Sequence, residues 1–233
     1  WDEAYLVKRI DNLRRMGIRH IYLKMAGYDA RDLERVMRLG SEAKVDMITF
    51  DGAGGGTGYS PCKMMNEWGY PALLIESIIC RLAREMKNEG LYLPALTLTG
   101  GFASEDQAFK ALAFGEGAVT AIGFCRAAMT AAMTGKAIGQ RIKAGDIPKN
   151  MRQYGSQVED FYADIRDLRG LYGQAANDFS LGAVGVYSYL NKLAFGLQHL
   201  AALNRKYDLE YLDRTDLIPL TGEAKALLQD SWF

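Results

Sequence analysis

Hydrophobic positions follow two rhythms over the first 145 residues of the chain. Apolar residues three and four apart alternate with short continuous apolar runs, the marks of amphipathic helices and buried strands. Leu6, Ile10 and Leu13 predict a helix over Asp2–Met16. A strand is predicted over Arg19–Ala26, then a helix over Ala30–Lys44 with Leu33, Val36 and Met37 on one face, then a strand over Val45–Phe50. A helix over Pro71–Asn88 and a strand over Leu93–Thr99 follow. Ser104-Glu105-Asp106-Gln107 reads as a capping box opening a helix that stops at Gly115. A strand over Ala118–Ile122 and a long helix to about Ala144 complete the pattern. Four strand–helix units in strict alternation predict an α/β fold, with a parallel sheet and right-handed crossovers.

The texture changes over Asp146–Phe233. Ser156-Gln157-Val158-Glu159 reads as another capping box, opening a helix with Phe161, Ile165 and Leu168 on one face. Leu190, Leu193, Leu197 and Leu200 mark a longer one. The expected organisation is therefore an α/β domain over 1–145 and a helical appendage over 146–233.

Candidate chemistry gathers where the strands end. Asp51–Pro61 places five glycines in seven positions directly after the apolar run Val45–Phe50. Such a backbone bends freely and lets a flat or anionic ligand come close, although a flexible turn has the same composition. Gly100-Gly101 ends the third strand and Gly123 the fourth, with Phe124 beside it and Arg126 opening the next helix. Loops after consecutive strands of this kind bind phosphate through backbone N–H groups and a helix N-terminus. Lys24 interrupts an apolar strand near its end, where it faces a ligand or simply reaches solvent. Asp51 reads as an acid/base, as a hydrogen-bond acceptor, or as a turn former before glycine. Parallel strands present their carboxyl ends together, so these positions are expected on one sheet edge.

Composition narrows the classes. Apolar residues make up 49% of 233, which predicts a globular chain. Twenty-eight basic and 28 acidic residues balance, which argues against a nucleic-acid partner held by bulk charge. Cys62, Cys80 and Cys125 suit neither a disulfide framework nor a zinc site, so a reducing, cytoplasmic setting is expected. Cys125, Met129 and Met133 are expected in the core. No apolar run approaches the roughly 18 residues of a membrane span. The chain opens at Trp1, without Met and inside a helical pattern, as expected of the later part of a longer product that could carry an anchor ahead of Trp1.

Gly55-Gly56-Thr57-Gly58-Tyr59-Ser60-Pro61 and Gly69-Tyr70-Pro71 resemble the Gly-Gly-Thr-Gly-x-Ser-Pro and Gly-x-Pro runs of the FMN-binding domain of the glutamate synthase family. Lys24 in Leu23-Lys24-Met25 resembles that family's strand lysine beside the flavin. Gly100-Gly101 is similar to its Asp-Gly-Gly with Thr99 in place of the aspartate, and Ala121-Ile122-Gly123 to its phosphate-binding last strand. The tail, from Gly135-Lys136 to Gly182-Ala183-Val184-Gly185, resembles the short stand-alone members.

The resemblance implies a TIM (β/α)₈ barrel binding FMN, and a flavin oxidoreductase acting on an amino or imino acid of the glutamate/2-iminoglutarate kind. Its catalytic residues would be Lys24 and Asp51. Lys24, Gly55, Gly56, Thr57, Gly58, Gly100, Gly101, Gly123, Phe124 and Arg126 would contact the cofactor. Ala132, Ile138 and Lys143 stand where the synthases carry their Cys-x₅-Cys-x₄-Cys run, so no iron–sulfur cluster ligated by this chain is expected. Electrons would then come from a reductase or another subunit. Glu76 is the carboxylate nearest the family's substrate stretch but is out of register. Two other readings are a redox-silent FMN-binding or assembly subunit, and a non-flavin phosphate-binding barrel enzyme.

A (β/α)₈ barrel needs about 200–250 residues or more, and four strands supply only its carboxyl-terminal half, strands five to eight. Open edges and an uncovered apolar inner face are expected. The predicted partner is a chain or segment carrying the first half, in an oligomer.

Overall fold

A computed structural model describes residues 2–55 and 60–229. They form two compact units, one from residues up to Phe124 together with His199 onward, the other from Cys125 to Gln198.

The first unit alternates as the periodicity predicts: α1 (Glu3–Arg15), β1 (Tyr22–Ala26), α2 (Ala30–Glu42), β2 (Met47–Asp51), α3 (Ala72–Asn88), β3 (Ala95–Thr99), α4 (Glu105–Gly115) and β4 (Val119–Gly123). The Ser104–Gln107 capping box forms as expected. The strands pair in parallel in the order β1-β2-β3-β4. Right-handed crossovers between successive neighbours place every connecting helix on the same face of the sheet. On that face Ile48, Phe50, Leu96 and Leu98 pack with Ile10, Leu33, Met37, Ile75, Ile79 and Met86 in one core.

Three strands begin two or three residues later than expected. At the first two, a side chain adds to the backbone pairing. The Asp46 amide donates to the Ile21 carbonyl at 2.9 Å, while the Asp46 carboxylate accepts from the Ile21 amide at 2.8 Å and from Arg14 at 3.2 Å.

The opposite face departs from the expected apolar surface. Register aligns Ala26, Asp51, Thr99 and Gly123 in one row across the sheet. Two residues earlier stand Lys24, Thr49, Thr97 and Ala121. Side chains alternate along a strand, so both rows lie on the face away from the helices. That face is polar and small-residued, and only its amino end carries Tyr22 and Met47.

The first unit also takes in the carboxyl-terminal segment, which ends in α9 (Gly222–Leu228). Arg214 ties it down, donating to the Phe114 carbonyl at 3.1 Å and the Leu228 carbonyl at 2.8 Å.

The second unit contains α5 (Arg126–Lys143), α6 (Val158–Phe161), α7 (Ile165–Tyr172) and most of α8 (Leu181–Leu203). The helix expected from Ser156 is split. Asp160 accepts from the Ser156 and Gln157 amides at 2.9 and 2.8 Å, so the cap falls on Gln157 and the helix breaks at Tyr162. α5 and α8 meet through glycine: a Cβ on Gly182 or Gly185 would stand 2.8 or 2.7 Å from the Ala132 or Ala131 carbonyl oxygen. That small-residue stripe forms the inner side of α5, which reverses the expectation for its methionines. Met129 and Met133, one turn apart on the other side, are 58% and 66% exposed. Cys125 is likewise exposed, while Cys80 is the buried thiol. No helix among the described residues is long and apolar enough to cross a membrane.

Candidate functional site

The carboxyl edge of the sheet collects the predicted residues of the first unit. Lys24 Nζ lies 2.8 Å from Asp51 Oδ2, with 49% of the lysine side chain exposed and only 7% of the aspartate. Adjacent strands at matched register bring them together, since Lys24 stands two residues before the Ala26 that pairs with Asp51. A buried carboxylate requires a partner, and this one takes the lysine and, at 3.4 Å, the Thr99 hydroxyl. Asp51 thus acts here as an acceptor that fixes Lys24. The ammonium retains donors and keeps half its surface at the mouth of the edge.

The glycines serve by leaving room. Gly100 has φ +105°, and a Cβ there would stand 2.6 Å from the Gly52 amide nitrogen. Gly52 in turn donates to the Thr99 carbonyl at 2.8 Å, so β2 and β3 close onto each other just past their last paired residues. Gly101 has φ +87° and open space where a Cβ would be. Gly55 folds against Asp51, and a Cβ there would meet the carboxylate. Gly123 packs over Thr99, with 3.0 Å from its Cβ position to Thr99 Cβ. Phe124 sets its ring edge-on to Phe102, with centroids 6.4 Å apart. Gly56, Thr57 and Gly58 lie outside the described residues, and Arg126 opens α5 in the second unit.

Two groups escaped the sequence reading. Tyr28 follows β1 by two residues, and its hydroxyl is pushed above the usual tyrosine range by burial and then by the Asp51 charge. With Lys63, Met64, Glu67 and Trp68 it lines a cavity of about 520 Å³. Met64–Trp68 is a π-helical turn, a distortion frequent at functional sites. The Tyr70 amide donates to the Gly27 carbonyl at 2.9 Å, and the Ala53 amide to the Tyr70 carbonyl at 2.7 Å, which ties the segment after this turn to the strand ends. The second group is Thr97, 8% exposed, whose hydroxyl has no hydrogen-bond partner among the described residues. Alternating threonines in Thr97-Leu98-Thr99 signal a strand with one polar face.

The edge has the features that a phosphorylated ligand would need. It offers positive-φ backbone with free space at Gly101 and a half-exposed cation fixed by a buried carboxylate. Among the described residues no group of three or more His, Cys, Asp or Glu is placed to hold a metal ion.

No curated protein matches the chain. The family described as the conserved region in glutamate synthase matches residues 2–137, which include all four strands and every predicted site residue. This match covers more than half of the chain, and the protein belongs to the glutamate synthase family.

Proposed function

We propose that this chain forms the carboxyl-terminal half of an FMN-binding (β/α)₈ barrel, and that the completed barrel is an oxidoreductase acting on an amino or imino acid. The observation that carries the reading is the edge itself: Lys24 clamped by Asp51, with Asp51 in the same row as Gly123 and the opened backbone at Gly100-Gly101 following directly on that row. Ligands of open α/β sheets and barrels bind at this edge. The unpartnered Thr97 hydroxyl, on the face away from the helices, supports completion of the barrel by another chain or segment. An electron-donating reductase or subunit would complete the system.

Gly100, Gly101, Gly123 and Phe124 would hold the phosphate, through backbone N–H groups that glycine leaves accessible. Bound FMN would supply hydride transfer to or from the substrate. Lys24 would place its charge against an anionic ring edge or a substrate carboxylate, and Asp51 keeps the lysine in that rotamer. Tyr28, whose hydroxyl feels the Asp51 charge, would border that side of the site.

The test is reconstitution of the full assembly with FMN, gel filtration and an absorption spectrum. Retained flavin bands that bleach on addition of an amino acid or reductant are expected. Protein free of flavin after filtration would refute FMN binding, whereas retained bands that nothing bleaches would favour an assembly role.

A further inference from the structure

A second cavity, of about 640 Å³, lies within the first unit between α3, α4 and the carboxyl-terminal segment. Its walls are apolar, with Leu73, Phe109, Phe114, Leu217 and Leu227 among them. Its size is that of small-molecule sites, which are mostly apolar with a few placed polar groups.

The polar groups of its lining are nearly all engaged. Lys110 bonds Asp106 at 2.8 Å, and Lys206 pairs with Asp216 at 2.8 Å. Gln107 accepts from the Ala103 and Ser104 amides at 2.8 and 3.2 Å. Asn204 donates to the Leu200 carbonyl at 2.8 Å. Glu76 differs. It is 2% exposed, and its Oε1 has no hydrogen-bond partner among the described residues. A buried unpaired carboxyl is costly and calls for a ligand, a pairing or a proton.

Burial pushes the Glu76 carboxyl well above the usual carboxylate range, opposed by the Arg214 guanidinium. As the neutral acid it donates one hydrogen bond and accepts another. An ammonium head would meet the guanidinium that stacks 4.5 Å from the Phe114 ring centroid. A hydroxyl matches both capacities of the acid and carries no charge into the apolar pocket.

We propose that this cavity binds an uncharged amphiphile, an alkyl body ending in a hydroxyl that exchanges hydrogen bonds with Glu76. The cavity reaches the carboxyl edge of the sheet at Gly100 and Gly101, but Glu76 and the apolar walls that would hold the amphiphile are not among the residues assigned to the flavin.

Titration of the full chain with primary n-alkanols from butanol to octanol, followed by calorimetry and by NMR shifts of the Phe109 and Phe114 rings, tests it. Affinity should rise about fourfold per added methylene until the cavity is filled. Glu76→Gln, which keeps a donor and an acceptor, should bind within about threefold of the parent, and Glu76→Leu about tenfold more weakly. Ala224→Phe fills the cavity from the half-buried α9 side without touching Glu76, and should abolish binding at every chain length while the chain stays folded. Absence of saturable octanol binding, equal affinity in Glu76→Leu, or unchanged binding in Ala224→Phe would each overturn the proposal. If Glu76→Leu does not fold, the other two variants still decide.

Discussion

Alanine at Gly100, Gly101 and Gly117 separates what the site-edge backbone needs for folding from what it needs for a ligand. All three glycines have φ between +74° and +105°. Alanine in that region costs about 1–2 kcal/mol whatever its surroundings. Gly101 and Gly117 have nothing within 4 Å of the added methyl, so each variant should lose about that amount alone. For a chain of this size the loss lowers Tm by about 2–8 °C. Gly100→Ala adds a collision at 2.6 Å with the Gly52 nitrogen, which is backbone and cannot swing aside. Overpacking adds about 1–3 kcal/mol, for a total of roughly 2–5 kcal/mol. Ligand binding should sort the variants differently. Gly117 precedes β4, at the amino edge of the sheet, while Gly101 follows β3 at the carboxyl edge. Gly101→Ala should therefore weaken FMN by about tenfold or more, roughly 1.4 kcal/mol, with Gly117→Ala unchanged. Urea unfolding and flavin fluorescence titration measure the two effects. Gly100→Ala no less stable than Gly101→Ala would refute the close approach of β2 and β3. Equal FMN affinity in Gly101→Ala and Gly117→Ala would refute the phosphate role of the open edge.

Lys24→Met strands the buried Asp51 carboxylate beside a hydroxyl 3.4 Å away and should cost about 1–3 kcal/mol; Lys24→Met/Asp51→Asn should recover much of it, and a full additive loss in urea titrations would contradict the pairing. Gly185→Ala pushes a methyl to 2.7 Å from the Ala131 oxygen and should destabilise the chain by about 1–3 kcal/mol, whereas Gly170→Ala, in open space on α7, should stabilise it by up to about 1 kcal/mol. A gain in both variants by thermal unfolding would show that α5 and α8 are not in glycine contact. Glu76→Gln tests burial through pH. The native carboxyl keeps its proton above the range where the unfolded chain loses it, so wild-type stability falls as pH rises through that window. Arg214 is the charged group that acts on Glu76, Glu116 pairs with that guanidinium at 3.4 Å, and Asp106, Lys110 and Asp216 share the cavity lining. The two proteins should match near pH 4, with the Gln variant pulling ahead towards pH 8; parallel urea midpoints across that range would rule out a raised carboxyl.

The alternation of strands and helices was legible because period and breakers agree over each segment, as in the helix that runs from the Ser104 cap to Gly115. The strand ends that carry the site were legible for the same reason, since glycine marks where a ladder stops. What the residues could not reveal was pairing across strands. Lys24 and Asp51 stand far apart in sequence, and only register brings their charges to 2.8 Å. Met129 and Met133 misled because apolar residues at helical spacing mark either face when the inner one is built of glycine and alanine. Glu76 was discounted as out of register; its signal was a carboxyl within Leu74-Ile75-Glu76-Ser77-Ile78-Ile79, where burial was already implied.

The strand order β1-β2-β3-β4 also bears on how the site comes into being. Every strand docks beside the one made just before it, so closing each pair spans only one crossover. Growth from the amino end would then join Lys24 to Asp51 as soon as β2 docks, bring Thr99 and the Gly100 turn with β3, and set Gly123 over Thr99 last. The order of synthesis becomes the order of site assembly, and a chain stalled before β4 would already carry the charged clamp but lack the final wall of the ligand edge.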